Sequence, residues 1–249
     1  MKKIIRFLLV LFSLLIAVIL LKTILFRSVQ VKTIKAELPV FGEESDSRLS
    51  EALTFPTVSQ AIELPVDTTA FLGLHKFLCA AYPLVHKSLR KEVFSSFSLL
   101  YSWEGKNPDL KPVILTAHMD VVPAVDTSSW AKLPFSGEND GTFIWGRGAL
   151  DDKVSMISIL EAVEKLLSEN YTPERTIYLA FGHDEEISGN RGAGVMAEEL
   201  KRRNVAAEFL LDEGYAVTLN MVPMVNKPVA LIGTSEKGYL SVVLSVEMA

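Results

Sequence analysis

The strongest pattern in the chain is an apolar run near its amino terminus. Fifteen residues, Phe7 to Leu21, carry no charge, and Ser13 is the only polar residue among them. Flanking residues extend the run to about 20 positions, the length of a membrane-spanning helix. No small-x-small cleavage motif follows, so the pattern favours an uncleaved signal anchor over residues 1–28, with a cleaved signal peptide as the alternative. The basic cluster before the run predicts that the remaining chain is non-cytoplasmic, membrane-anchored or, after cleavage, secreted.

Beyond a polar segment, residues 29–48, which is typical of a linker, the pattern becomes globular. Apolar residues recur every three or four positions in three segments, which predicts amphipathic helices. The first of these follows Asp67, a suitable N-cap, and the others cover residues 152–170 and 193–203. One side of the first carries Phe71, Leu74, Phe77 and Leu78. Apolar runs predict strands at residues 112–117, 142–145, 176–181 and 208–211.

Alternation of strands and helices predicts an α/β fold with a mostly parallel sheet flanked by helices. In such sheets the active site lies beyond the carboxyl ends of the strands. One predicted strand ends at His118, the next just before Glu185 and Glu186, and the last at Asp212 and Glu213. We therefore expect these side chains at one edge of the sheet.

Composition narrows the possible functions. The chain has 249 residues and a net charge of −5, which argues against a nucleic-acid-binding protein because such proteins are usually basic. A single cysteine, Cys79, excludes an intrachain disulfide and a zinc site built from several cysteines. The chain has four histidines, a small supply of imidazole ligands.

Three motifs contain residues suited to chemistry, and each also has an ordinary structural interpretation. His118 and Asp120 lie two positions apart, so in an extended chain they share a face and the carboxylate can orient the imidazole. A buried histidine–aspartate pair without a metal would give the same pattern. Asp151 and Asp152 begin a predicted helix, where carboxylates also act as caps.

The third motif is a run of four ionisable residues, 183–186, directly after an apolar strand. A surface loop would explain it. Alternatively, a cation balances the carboxylates, and one glutamate binds the metal while its neighbour acts as general base. Like charges would raise the pKa of that base. His75 and His86 are expected to be structural, and His183 is expected either to stabilise its loop or to contact a metal ligand.

Taken in order, the motifs resemble the zinc aminoacylase and carboxypeptidase family, in its carboxypeptidase S and N-fatty-acyl-amino-acid synthase/hydrolase branch. The resemblance rests on His-Met-Asp-Val-Val-Pro at 118–123, Gly-Arg-Gly-Ala-Leu-Asp-Asp-Lys at 146–153 and Gly-His-Asp-Glu-Glu-Ile-Ser-Gly at 182–189. It implies a zinc exopeptidase-like catalytic domain over residues 49–234, incomplete in this chain. Residues 235–249 would begin a lid or dimerisation domain, which is cut off after its first strand. The resemblance also implies that the full-length form is a homodimer.

The resemblance also implies roles for individual residues. Two Zn²⁺ ions would be bound by His118, Asp151, Glu186 and Asp212, with Asp151 as the bridge and Glu213 as the alternative to Asp212. The bond between Asp151 and Asp152 would be cis. Asp120 would orient His118, and Glu185 would be the general base and acid.

The implied activity is zinc-dependent hydrolysis of the amide bond of a peptide or an N-acyl amino acid. The family uses a further histidine ligand downstream, which this chain lacks, so the second zinc site is expected to be incomplete. The alternative is therefore a catalytically incomplete, membrane-anchored binding or interaction protein of the same fold. A different two-metal hydrolase, such as a phosphatase, fits the motifs less well.

Overall fold

A computed structural model describes residues 2–27, 40–61, 64–214, 217–235, 242 and 244–246. The chain divides into two units, residues 1–40 and 41–249. The first contains helix α1, Lys2–Leu25. This helix is long and apolar enough to cross a membrane, and none of its residues is buried. A signal sequence would have the same length and composition, so both interpretations of residues 1–28 stay open.

The second unit alternates helices and strands over most of its length. Its helices are α2 Glu43–Leu53, α3 Thr68–Ala81, α4 Pro83–Ser88, α5 Lys153–Ser168 and α6 Ala193–Arg202. Its strands are β1 Arg90–Phe94, β2 Ser98–Trp103, β3 Val113–His118, β4 Glu138–Asn139, β5 Ile144–Trp145, β6 Ile177–Gly182 and β7 Phe209–Leu211. The predicted helices and strands are confirmed, with ends that differ by a few residues. The expected strand of the lid domain lies mostly outside the described residues.

Five strands form one sheet in the order β1-β2-β6-β3-β7. The strands that follow helices, β6 and β7, pair with β3 in parallel, as the α/β pattern predicts. The sheet is nevertheless mixed, because β1 and β2 pair antiparallel and β2 runs antiparallel to β6. A short turn joins β1 to β2, and such a connection permits only antiparallel pairing.

Alternating side chains of the sheet contact helices on its two faces. Leu99, Tyr101, Leu179 and Phe181 belong to the larger core, which α3 and α5 cover with residues such as Phe71 and Met156. On the other face, Leu100 and Ala180 pack against Met196 and Leu200 of α6. The predicted cap of α3 is confirmed, since the Asp67 carboxylate accepts hydrogen bonds from the amides of Thr69 and Ala70.

Helix α2 begins inside the segment expected to be a linker, and a buried carboxylate attaches it to α5. Glu161 of α5 is 7% exposed. It accepts hydrogen bonds from the Arg48 guanidinium (2.8 Å), the Ser45 hydroxyl (2.9 Å) and the Tyr82 hydroxyl (2.9 Å). Because all three donors face one buried charge, α2 belongs to the folded unit despite its polar sequence.

The Glu161 cluster gives the first test. Replacing Glu161→Gln puts an amide NH₂ where two donors require an acceptor, and we expect a loss of about 1–3 kcal/mol in the free energy of unfolding. Denaturant unfolding of the full chain in detergent micelles measures it. The control Glu174→Gln breaks only the exposed pair with Lys106 and should cost less than about 0.5 kcal/mol. Equal losses in the two variants would contradict the role of Glu161.

Candidate metal and catalytic site

The candidate site lies at one edge of the sheet, where three strands end. Strand β3 ends at His118, β6 leads into a single 3-10 turn at Glu185–Ile187, and β7 leads into Asp212 and Glu213. These three strands are parallel neighbours, so their carboxyl ends lie side by side. The prediction that the strand ends bring imidazole and carboxylate groups together is confirmed.

The imidazole of His118 lies at the centre of the site. It is 2% exposed. Its Nδ1 is 3.0 Å from the main-chain oxygen of Asp120, to which it can donate a hydrogen bond. Its Nε2 faces three carboxylates, at 3.0 Å from Asp151, 3.6 Å from Glu213 and 3.8 Å from Glu185. The nitrogen that could bind a metal therefore points at the acidic groups.

The Asp120 carboxylate connects this histidine to the glutamates. Its side chain is fully buried, with Oδ1 3.4 Å from Nδ1 of His118. The two oxygens of Asp120 also accept hydrogen bonds from the amides of Glu185 (3.1 Å) and Glu186 (3.2 Å). The sequence predicts only the contact with His118. In the structure, one carboxylate holds both the imidazole and the turn that carries the two glutamates.

Asp151 and Asp152 differ in environment, and the peptide bond between them is cis. The Asp151 side chain is 64% exposed and reaches His118. Asp152 is buried at the N-cap position of α5, but its carboxylate caps no amide of that helix. Instead its Oδ2 accepts a hydrogen bond from the amide of His118 (3.3 Å). The Asp152 carboxylate therefore does not cap the helix. It holds the main-chain amide at the end of β3 instead.

The approach to Asp151 depends on a tight turn. Gly148 has a φ of +89°, and a Cβ there would lie 2.8 Å from Cγ1 of Val121. Only glycine combines that conformation with this close approach. Upstream, the Arg147 amide donates to the oxygen of Pro134 (2.7 Å), and its guanidinium lies 4.9 Å from the Trp130 ring centre. These contacts link the loop around Trp130 to the motif at 146–153.

Glu186 and the turn after β7 complete the acidic edge. One oxygen of Glu186 accepts a hydrogen bond from the amide of Val122 (3.2 Å). Of the two residues after β7, Glu213 faces His118, whereas Asp212 accepts a hydrogen bond from the Glu213 amide (2.9 Å) and lines a cavity between α6 and the sheet. The assignment of Asp212 as a ligand stays a prediction, and the geometry favours its alternative, Glu213.

The electrostatics at this edge favour positive charge between the carboxylates. Burial raises the pKa of Glu213, and neighbouring carboxylates raise it further, to about 7. Burial and like charges also raise the pKa values of Glu185 and Glu186. Burial lowers the pKa of His118, but the hydrogen bond and charge of Asp120, with Glu213 and Glu185, outweigh it and raise that pKa to about 10. Positive charge at this point relieves the repulsion among the acids.

The donor set fits a divalent metal. His118, Asp151 and Glu213 each offer one ligand atom, and these atoms lie within 4.8 Å of one another. One imidazole with several carboxylates is a ligand combination that zinc accepts. The other histidines have structural contacts: His75 with the oxygen of Phe97, His86 with the oxygen of Tyr82, and His183 with the hydroxyl of Ser98.

Lys153 is a buried residue to which the sequence assigns no role. It is 0% exposed, and its ammonium group donates hydrogen bonds to the main-chain oxygens of Ala52 (3.0 Å) and Phe55 (2.6 Å). Burial lowers the pKa of Lys153 to about 7, against the opposing charge of Asp120. A lysine on the first turn of an amphipathic helix, directly after two aspartates, is the only signal that the sequence offers.

Comparisons with known proteins agree with the geometry. Residues 114–231, which contain the site, match the model of peptidase family M20/M25/M40. Probable carboxypeptidase S-like 2 of Dictyostelium discoideum is 44% identical over 82% of this chain, and N-fatty-acyl-amino acid synthase/hydrolase PM20D1 of Mus musculus is 43% identical over 84%. The chain spans 40% and 42% of the length of these two relatives.

Solved structures show the same fold. Human carnosine dipeptidase 1 superposes with a TM-score of 0.58 at 18% identity, over 71% of this chain and 40% of that one. A metallo-carboxypeptidase of the M20 family from Sulfolobus solfataricus gives 0.53 at 23% identity, over 71% of this chain and 38% of that one. The likeness to these two structures shows the fold alone. The match over residues 114–231 and the two similar relatives show that the chain belongs to peptidase family M20/M25/M40.

Proposed function

We propose that this domain, within the full-length protein, hydrolyses the amide bond of a peptide or an N-acyl amino acid next to a terminal amino acid. The observation that carries the proposal is that Asp151, from the turn before α5, meets His118, Glu185 and Glu213 at the ends of three parallel strands. The names of the relatives, carboxypeptidase S-like and N-fatty-acyl-amino acid synthase/hydrolase, support this substrate class. The same cluster favours a hydrolase over the alternative of a non-catalytic interaction protein.

The proposed metal is zinc, as two ions. His118, Asp151 and Glu186 would hold them, with Asp151 as the bridge, together with a carboxylate from Asp212 or Glu213. Bound zinc would polarise the scissile carbonyl and lower the pKa of a water.

In this proposal Glu185 moves the proton. Its carboxylate takes the proton of the attacking water and passes it to the nitrogen of the leaving amine. The raised pKa of Glu185 suits both steps, because a carboxylate of ordinary pKa would hold the proton too weakly. The Asp120 carboxylate holds Glu185 in place by accepting a hydrogen bond from the Glu185 main-chain amide. It also lies beside Nδ1 of His118, so that Nε2 stays directed at the metal site.

We also propose that α1 anchors the protein in a membrane with the catalytic domain on the non-cytoplasmic side. The basic residues before the apolar run support this orientation. Secretion would replace anchoring if the segment is cleaved. The lid domain proposed to begin at residue 235 would form a homodimer in the full-length protein.

Replacing Glu185→Gln tests the general base. The amide cannot accept a proton, so we expect kcat to fall by about 10²–10⁴-fold, with zinc affinity nearly unchanged. Hydrolysis of N-acyl amino acids and dipeptides by the full-length protein measures the first quantity, and competition with a chromogenic chelator the second. The exposed Glu174→Gln serves as the control. Turnover close to that of the unmodified protein would exclude this role for Glu185.

Metal removal tests the site as a whole. A chelator should abolish hydrolysis by the full-length protein, and added Zn²⁺ should restore it, because carboxylates alone cannot polarise the amide. Hydrolysis that persists in excess chelator would refute metal dependence. Zinc titrations of Asp212→Asn and Glu213→Gln then identify the ligand after β7, since the variant that loses a ligand should bind zinc more weakly than the other.

Asp120→Asn tests the link between imidazole and glutamates. In Asp120 each carboxylate oxygen accepts a hydrogen bond from one main-chain amide, that of Glu185 or that of Glu186. The asparagine has only one oxygen, and its NH₂ group cannot accept, so one of these two hydrogen bonds is lost. We expect zinc affinity and kcat to fall by about 10–100-fold, with a smaller change in KM. The exposed Asp109→Asn is the matched control. If both variants bind zinc as tightly as the unmodified protein, Asp120 does not position the site.

A further inference from the structure

The segment from Ala52 to Ser59 makes hydrogen bonds with residues one to three positions along the chain from His118, Asp151 and Glu186, three of the predicted metal ligands. It runs from the end of α2 to the loop before α3. Two of its three polar members, Thr57 and Ser59, are buried, at 0% and 2% exposure. Buried hydroxyl groups need hydrogen-bond partners, and the partners of these two lie in the site.

The first set of contacts reaches the end of β3. The Thr57 hydroxyl donates to the oxygen of Met119 (2.6 Å), and the Thr57 oxygen accepts from the amide of Val121 (3.0 Å). The Ser59 amide donates to the oxygen of Val121 (3.0 Å). Residues 119–121, which directly follow His118, are therefore held from both sides of Asp120.

The second and third sets reach the other two motifs. The Ser59 hydroxyl donates to the oxygen of His183 (3.2 Å), two residues before Glu185. At the start of α5, the Lys153 ammonium donates to the oxygens of Ala52 and Phe55. Lys153 lies two residues after Asp151, so its contacts attach the Asp151–Asp152 turn to the same segment that holds the His118 strand end.

We propose that residues 52–59 and Lys153 form a positioning strut that sets the separation of His118 and Asp151 for metal binding. Lys153 and Thr57 are positioning residues, since neither offers a ligand atom to the cluster of His118, Asp151 and Glu213. The inference rests on the proposed metal site and adds the part of the chain that holds it in place.

Loss of either end of the strut has a defined effect. Lys153→Met removes two hydrogen bonds and keeps the shape of the side chain, and Thr57→Val removes one in the same way. Each change frees one ligand-bearing segment to move relative to the other, and each should weaken zinc binding by about 10–100-fold. Because both act through one separation, the double variant should lose less affinity than the product of the single losses.

The experiment measures zinc affinity of the full-length protein by chelator competition, with the folded fraction of each variant determined by circular dichroism. Tyr101→Phe is the matched control. It removes the hydrogen bond between Tyr101 of β2 and His86 of α4 (3.0 Å), and among the described residues the Tyr101 hydroxyl makes no hydrogen bond with residues 52–59 or Lys153. It should destabilise the fold and leave the zinc affinity unchanged.

The possible failures are distinguishable. If the unmodified protein binds no zinc, the proposed function and the strut both fail. If it binds zinc and the folded Lys153→Met and Thr57→Val variants bind equally well, only the strut is overturned. Losses that multiply in the double variant would also overturn it, because they would show two independent effects. Should Lys153→Met fail to fold, Thr57→Val alone decides between retained and weakened zinc affinity.

Discussion

The carboxylates at one edge of the sheet repel one another, and the rest of the structure holds them together against this repulsion. Asp151, Glu185 and Glu213 all lie within 4 Å of a single imidazole nitrogen, in a partly desolvated place. Left alone, such groups would separate or take up protons. The parallel pairing of β3 with β6 and β7 keeps His118, Glu185 and Glu213 together, and positive charge on the imidazole or on a cation would offset the repulsion. A bound metal ion, which membership of the M20 family implies, would supply such charge.

The means of holding the acids are mostly main-chain groups. The amides of Glu185, Glu186 and His118 donate to Asp120 and Asp152, and the amide of Val122 donates to Glu186. Main-chain donors carry no net charge and move little, so they orient carboxylates without competing for the metal. The site thus keeps its negative charge while the carboxylates of Asp120, Asp152 and Glu186 are fixed in direction.

Much of this was predictable, because the relevant signals are local. Apolar runs and three–four spacing identify β3, β6, β7, α5 and α6, and the rule for strand ends then brings His118 and Glu185 together. The β1–β2 hairpin was missed because its turn uses Ser95 and Ser96 at positive φ instead of glycine or asparagine. Helix α2 was missed because polar and charged residues attach it to α5, and such residues are also typical of a linker. The choice between Asp212 and Glu213 depends on side-chain direction after a three-residue strand, which no sequence pattern encodes.

The docking of α2 has a practical consequence for preparing a soluble form of the protein. Judged by polarity, the cut would fall near residue 48, at the end of the apparent linker. That cut would remove Ser45 and separate Arg48 from its helix, although both bind Glu161. It would also leave Ala52, a partner of Lys153, at a frayed helix end. A truncation that preserves the chemistry should therefore start before Gly42, and metal content, not solubility alone, should guide its choice.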